Sequence, residues 1–232
     1  MFDRTFVINL ERRPERLAAF WGRFPEAWPF VRPQVWRAVD GAACEVPAWF
    51  GAGPGAWGCL RTHIAIWQRM LKQGWDSVLI MEDDAVFADK AMGMIREALA
   101  VLPADWDQVY FGGQHLRTNE LAPVCEVRNK LVRCRYVNRT HCYAIRAKFA
   151  EEALDAIDRP LTEPNTRLHH VDYQLGAMHE TGLYHIYAPW RFCVGQAKGR
   201  SDVCAGNSGR GKRVIQHFWN QFPINEPVAE VV

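Results

Sequence analysis

Ser77-Val78-Leu79-Ile80-Met81-Glu82-Asp83-Asp84 decides how the rest of the chain is read. Val78 to Met81 is a short apolar run without alternation, which marks a strand buried on both faces, and it stops abruptly at three acids. Just before it, Leu60, Ile64, Trp67 and Leu71 fall at helical spacing between Gly58 and Gly74, predicting an amphipathic helix over 59–73. Just after it, Met92, Ile95, Leu99 and Val101 predict a helix over 89–101, and Asp107 to Phe111 a strand ended by Gly112-Gly113. A strand over 141–145 and a helix over 146–157 follow, and residues 171 to about 179 form a further helix. Towards the N-terminus, Thr5 to Leu10 is β-rich and Pro14 opens a helix. Strand and helix signals alternate, so an α/β fold with a mainly parallel sheet is expected. No Pro- or Gly-rich linker divides residues 1–232, which are read as a single domain with mobile loops at 41–57 and 195–213.

Composition supports an ordinary folded chain. Of 232 residues, 49% are hydrophobic and 23% charged, which excludes a disordered tail and allows a sizeable core. Seven Cys without a C-x-x-C pair point to neither a disulfide framework nor a zinc ribbon. The first residues lack the pattern of a secretory leader, and no run approaches the roughly 18 apolar residues of a membrane span. A soluble, cytoplasmic protein is therefore expected.

The net charge of +2 conceals an asymmetry. Residues 127–149 hold seven basic residues and no acid, and 191–213 hold six basic residues against Asp202 alone, giving +7 and +5. Everything else must then carry −10, and the acids concentrate at 76–89, with Asp76, Glu82, Asp83, Asp84 and Asp89. Such separation suits a site that handles an anion with the help of a metal, although solvated faces have the same composition.

In open α/β sheets, ligands bind beyond the carboxyl ends of strands, where Glu82-Asp83-Asp84 is expected to lie. Three adjacent carboxylates repel one another unless a cation or a basic ligand neutralises them. Mg²⁺ and Mn²⁺ take oxygen ligands, usually one or two carboxylates completed by substrate phosphate oxygens. The alternative is a solvated turn whose acids favour the start of the next helix.

The motifs taken together resemble glycosyltransferase family 25, which includes lipooligosaccharide and collagen galactosyltransferases. The resemblance runs through Val7-Ile8-Asn9-Leu10 with Arg12-Arg13 and Arg16-Leu17, Gly58-Cys59-Leu60-Arg61-Thr62-His63, and Val78 to Asp84. It continues through Tyr110 to Gly113, Thr140 to Ile145, Val171 to Leu175, and Gln196 with Ser201-Asp202. Thr62 departs from the usual Ser and keeps the hydroxyl. The resemblance implies a GT-A-type, Rossmann-like nucleotide-sugar-binding fold and an inverting transfer of a sugar, expected to be a hexose, from a UDP-sugar. In that scheme Asp84 and Glu82 ligate Mn²⁺ or Mg²⁺, and Asn9, Arg12, Arg16, His63, Glu82 and Asp83 hold the donor. Asp172 is the general base. His141 and His170 are its reserves, Trp57 is a candidate to stack on a sugar, and Gln196, Ser201 and Asp202 line the acceptor side or a loop. His217 is a further candidate metal ligand.

Structural roles compete with these assignments. His63 shares a helical face with Trp67 and so fits a buried, inert histidine; Asp172 fits a helix cap. Three functions follow. The first is transfer to a saccharide acceptor, as in lipopolysaccharide biosynthesis. The second is transfer to a hydroxymethylated base in DNA, for which the basic stretches offer phosphate contacts. The third is a catalytically silent nucleotide-sugar-binding protein.

Overall fold

The computed structural model describes residues 2–127, 130–160, 166–197, 199–203 and 213–214. Its strands are β1 (Arg4–Asn9), β2 (Gln34–Arg37), β3 (Ser77–Glu82), β4 (Ala85–Phe87), β5 (Gln108–His115), β6 (Val124–Val127), β7 (Leu131–Arg133), β8 (Val137–Arg146), β9 (Ile186–Pro189) and β10 (Val194–Gln196). Its helices are α1 (Pro14–Gly22), α2 (Pro54–Lys72), α3 (Ala91–Ala100), α4 (Ala147–Ile157) and α5 (Val171–Glu180). Eight strands form one sheet in the order β2-β1-β3-β8-β5-β9-β7-β6, β4 pairs with β10 separately, and two further two-residue strands, Gly199–Arg200 and Arg213–Val214, pair with each other.

The expected α/β architecture is present, with a mixed sheet. β2, β1 and β3 run parallel, as do β5 and β9, whereas β8 runs against both of its neighbours and the β9-β7-β6 edge is antiparallel. The strand apolar on both faces predicted at 77–81 explains the layering. Val78 and Ile80 point into a core shared with Trp67 of α2, Phe149 of α4 and Leu175 of α5. Leu79 and Met81 point the other way, against Phe20 of α1 and Ile95 of α3. Each large side chain fully buried in this way contributes about 2 kcal/mol.

Three boundaries differ from expectation, the simplest being the strand expected at 141–145, which already begins at Val137. The helix predicted from 59 starts at Pro54, because Gly53 takes a positive φ of 87° and delivers Pro54 to the first turn, where its missing N–H costs nothing. Residues 54–57 of the expected mobile loop are therefore helical, and Gly41–Ala43 form a 3-10 turn. Gly112 and Gly113 do not end their strand; β5 continues to His115. A Cβ on Gly112 would lie 2.4 Å from His141 Nε2 and 2.6 Å from the Val194 carbonyl oxygen, so the glycine lets two neighbours close onto the strand. In the other expected loop, 195–213, residues 195–196 and 199–200 lie in short strands, and 198 and 204–212 lie outside the described residues.

Close backbone approach also joins the 3-10 turn to α2. A Cβ on Gly58 would sit 2.5 Å from the Val39 carbonyl oxygen and 2.6 Å from the Gly41 nitrogen. Gly58→Ala is expected to cost about 2–3 kcal/mol, because only backbone movement relieves the contact. A shift of the urea midpoint at unchanged slope measures it; a midpoint equal to the wild type's contradicts the close approach.

Candidate functional site

The carboxyl ends of β1 and β3 meet the first turns of α2 and α5 around a cavity of about 640 Å³. The acids enter it because β3 pairs with β1 until Glu82 lies opposite Ile8, and the Asp83 N–H then donates to the Ile8 carbonyl. β10 pairs with β4 so that Gln196 faces Ala85, and the Ala197 N–H donates to the Asp84 carbonyl at 2.7 Å. This short two-stranded sheet carries Gln196 to the acidic turn.

Each acid has a different environment. Glu82 accepts a hydrogen bond from Thr140 Oγ1 at 2.8 Å, yet burial and the neighbouring Asp84 charge push its carboxyl up to about 8. Asp83, 5% exposed, receives Asn9 Nδ2 at 2.7 Å and pairs with Arg16; burial still raises it to about 6. Asp84 pairs with Arg16 at 3.2 Å through Oδ2, while its Oδ1 is buried without a partner. Arg23 braces the turn by donating to the Asp83 and Ala85 carbonyls.

Arg16 is thus a resident cation of the acidic turn. It also meets Asp202 at 3.1 Å, and Arg12 spans Asp40 at 2.6 Å and Asp202 at 3.1 Å. Asp202 reaches these arginines because the chain at 202 lies against the start of α2: a Cβ on Gly55 would fall 2.0 Å from its carbonyl oxygen. Of the two basic stretches, expected to offer phosphate contacts, 127–149 brings one described basic residue to this cavity, while Lys198, Arg210 and Lys212 of 191–213 lie outside the described residues. Of the residues counted in 127–149, Arg139 alone lines the cavity; Arg146 pairs with Asp76 elsewhere.

The other expected residues are distributed as follows. Arg12, Arg16, His63, Glu82, Asp83, Asp84, His170, Asp172, Gln196, Ser201 and Asp202 all line this one cavity. Asn9 stands behind it, holding Asp83 and the Arg13 carbonyl. His141 is buried in the sheet with Nε2 on the Val194 carbonyl at 3.1 Å, and burial lowers its pKa to about 4. Trp57 packs against Trp49 and Phe50 under Arg61, beside a separate cavity of about 110 Å³. His217 lies outside the described residues. Asp172 accepts the Arg139 N–H through Oδ2 and the Tyr173 N–H through Oδ1, which locks the carboxylate in place and leaves each oxygen a further lone pair. Thr62 ties Gly58 to Val39 through its hydroxyl, the group it shares with serine.

Several lining residues were not singled out from the sequence as site candidates. Asn138 has a buried Nδ2 without a partner, and Arg139 takes a positive φ of 76° next to it. Backbone strain at a cavity wall is a mark of functional sites, but neither residue carries a sequence pattern that reveals it.

The charge balance tests the fit of a metal. Four arginines (12, 16, 139 and 167) and six carboxyl groups (40, 82, 83, 84, 172 and 202) line the cavity; with the Glu82 carboxyl raised to about 8 and so mostly protonated at pH 7, the negative charges outnumber the positive ones by one. A diphosphate entering alone meets a wall of its own sign. Asp84 Oδ1 and Gln196 Oε1 are both buried acceptors without a partner, the donor type that Mg²⁺ and Mn²⁺ prefer. Among the described residues no three His, Cys, Asp or Glu side chains form a metal cluster. Asp84 and Gln196 would offer such a cation two protein oxygens and leave its other positions to ligand oxygens.

A family model described as "Glycosyltransferase family 25 (LPS biosynthesis protein)" matches residues 53–164, the segment that supplies α2, the acidic turn and β8. This chain is related to glycosyltransferase family 25. A "Glycosyltransferase 25 family member" of Drosophila melanogaster is 30% identical over 175 residues, covering 66% of this chain and 28% of the relative. The human "Inactive glycosyltransferase 25 family member 3" is 28% identical over 177 residues, covering 66% of this chain and 29% of the relative. The chain thus spans less than a third of these curated relatives. Among solved structures, a glycosyltransferase involved in glycosylation of the major capsid of PBCV-1 aligns at TM-score 0.44 and 10% identity, covering 81% of this chain and 82% of that one. Glycosyltransferase family 25 includes chains named inactive, so kinship with it does not by itself carry turnover. No helix among the described residues is long and apolar enough to cross a membrane.

Proposed function

We propose that this chain transfers a hexose from a nucleoside-diphosphate sugar, with UDP as the nucleotide, to an acceptor hydroxyl, a saccharide being the favoured acceptor. The observation that carries this reading is the pair of partnerless buried oxygens on Asp84 and Gln196 in a cavity of net negative charge. Asp84 and Glu82 would hold Mn²⁺ or Mg²⁺. When bound, that ion neutralises charge on the departing diphosphate.

The chain's own residues have separable tasks. Arg12 and Arg16 offer guanidinium forks to phosphate oxygens once ligand competes with Asp202 for them. Asp172 takes the proton of the acceptor hydroxyl as that oxygen bonds to the anomeric carbon, and the bond to the diphosphate oxygen breaks with its electron pair on that oxygen. Attack from the face opposite the leaving group inverts the anomeric centre.

A panel of nucleotide sugars with Mn²⁺ or Mg²⁺ tests the reading, with saccharide acceptors in one arm and hydroxymethylated duplex DNA in another. Transfer or slow hydrolysis of one nucleotide sugar is expected. Binding of a nucleotide sugar without turnover supports the silent binding protein instead, and no binding of any donor overturns the proposal.

A further inference from the structure

His63 is 1% exposed and lines the cavity from α2, four residues before Trp67. Its Nδ1 lies 2.8 Å from the Tyr143 hydroxyl, and Trp67 Nε1 lies 3.1 Å from that same oxygen. Trp67 and Tyr143 are fully buried, so water does not complete this set.

Counting protons decides its direction. An indole N–H can only donate, so the Tyr143 oxygen accepts from Trp67. Tyr143 has one proton of its own, and of its two described hydrogen-bond partners only His63 Nδ1 can accept it. Were Nδ1 protonated instead, two donors would converge on one hydroxyl and its proton would be left without an acceptor in a dry core, a cost that buried networks avoid. Nδ1 therefore accepts, and the ring proton sits on Nε2, the polar atom left for the cavity. Burial also lowers the His63 pKa to about 3, keeping the ring neutral.

We propose that Trp67 and Tyr143 hold His63 as the Nε2–H tautomer, so that His63 gives a hydrogen bond to an oxygen of the bound nucleotide sugar and does not accept a proton. The ligand half rests on the function proposed above; the tautomer half does not. His63 is then a specificity residue for an acceptor oxygen, Tyr143 and Trp67 are positioning residues, and the role of general base stays with Asp172.

Nitrogen-15 spectra of histidine-labelled, ligand-free protein read the tautomer directly, with His63→Gln identifying the signal. A neutral ring protonated at Nε2 from pH 5 to 8 is expected, with a mixed tautomer in Tyr143→Phe. Trp67→Phe, which frees the hydroxyl proton to turn, is expected to mix the tautomers too and serves if Tyr143→Phe does not fold. An Nδ1–H ring or an imidazolium in the wild type overturns the proposal. Titration with UDP and Mn²⁺ reads the ligand half: His63→Gln, which keeps a donor at that place, is expected within about threefold of the wild type, and His63→Leu about tenfold weaker. Equal binding by His63→Leu overturns it. If the wild type binds no nucleoside diphosphate, the proposed function falls and the ligand half with it, while the spectra still decide the relay.

Discussion

Arg16→Met is expected to lower stability by about 2–3 kcal/mol at pH 7.5, or about 5–10 °C in Tm for a chain of this size. Methionine keeps most of the aliphatic stem, so the loss isolates the charge. Asp83 is buried and keeps only Asn9 as a side-chain partner, while Asp84 and Asp202 each lose an ion pair. The loss is bounded because Asp83 can take up a proton, each unit of pKa shift being worth about 1.4 kcal/mol.

The sign with pH follows from the same carboxyl. Its folded value, about 6, already lies above the ordinary 3.8. The folded protein therefore binds more protons than the unfolded chain between these values, and wild-type stability falls as pH rises through that window. Removing Arg16 raises the folded value further. Below about pH 6 both proteins hold Asp83 protonated and its share of the deficit vanishes; above it the deficit opens. Calorimetry at pH 5 and pH 7.5 measures this, and a deficit of equal size at both values contradicts the role given to Arg16.

Asp84→Asn is expected to reduce donor-dependent turnover by about 10²–10³ while leaving Tm unchanged or higher. The two effects separate because what Asp84 gains from its ion pair with Arg16 is offset by the cost of its charge beside Glu82. One of its oxygens has no partner, and its charge opposes that of Glu82. An amide of the same shape removes that repulsion and also removes the carboxylate that would hold the cation. Turnover at the wild-type level rejects Asp84 as a cation ligand. A Tm falling by several degrees shows instead that the acid is structural.

Much of the fold could be read locally. β3 was legible because both its faces are apolar, and α2 because Leu60, Ile64 and Trp67 repeat at helical spacing. The direction of β8 was not, since interior strands buried on both faces read alike whether they run parallel or antiparallel. The site was half legible. Glu82, Asp83 and Asp84 stand together in the chain, so their mutual repulsion and need for a cation could be inferred. That one resident cation is Arg16 depends on how α1 packs beside β3, and the partnerless oxygen of Gln196 depends on the pairing of β10 with β4.

The residues alone therefore establish an alternating α/β chain, an acidic turn at the end of a buried strand and a set of motifs resembling one transferase family, because each of these is a property of neighbours in the chain. Tertiary structure alone decides the sign of the cavity, which of the many arginines reach it, and which nitrogen of His63 carries its proton. Those depend on groups as far apart as Arg16 and Asp202, or His63 and Tyr143, whose interaction exists only once the sheet has brought them within hydrogen-bonding distance.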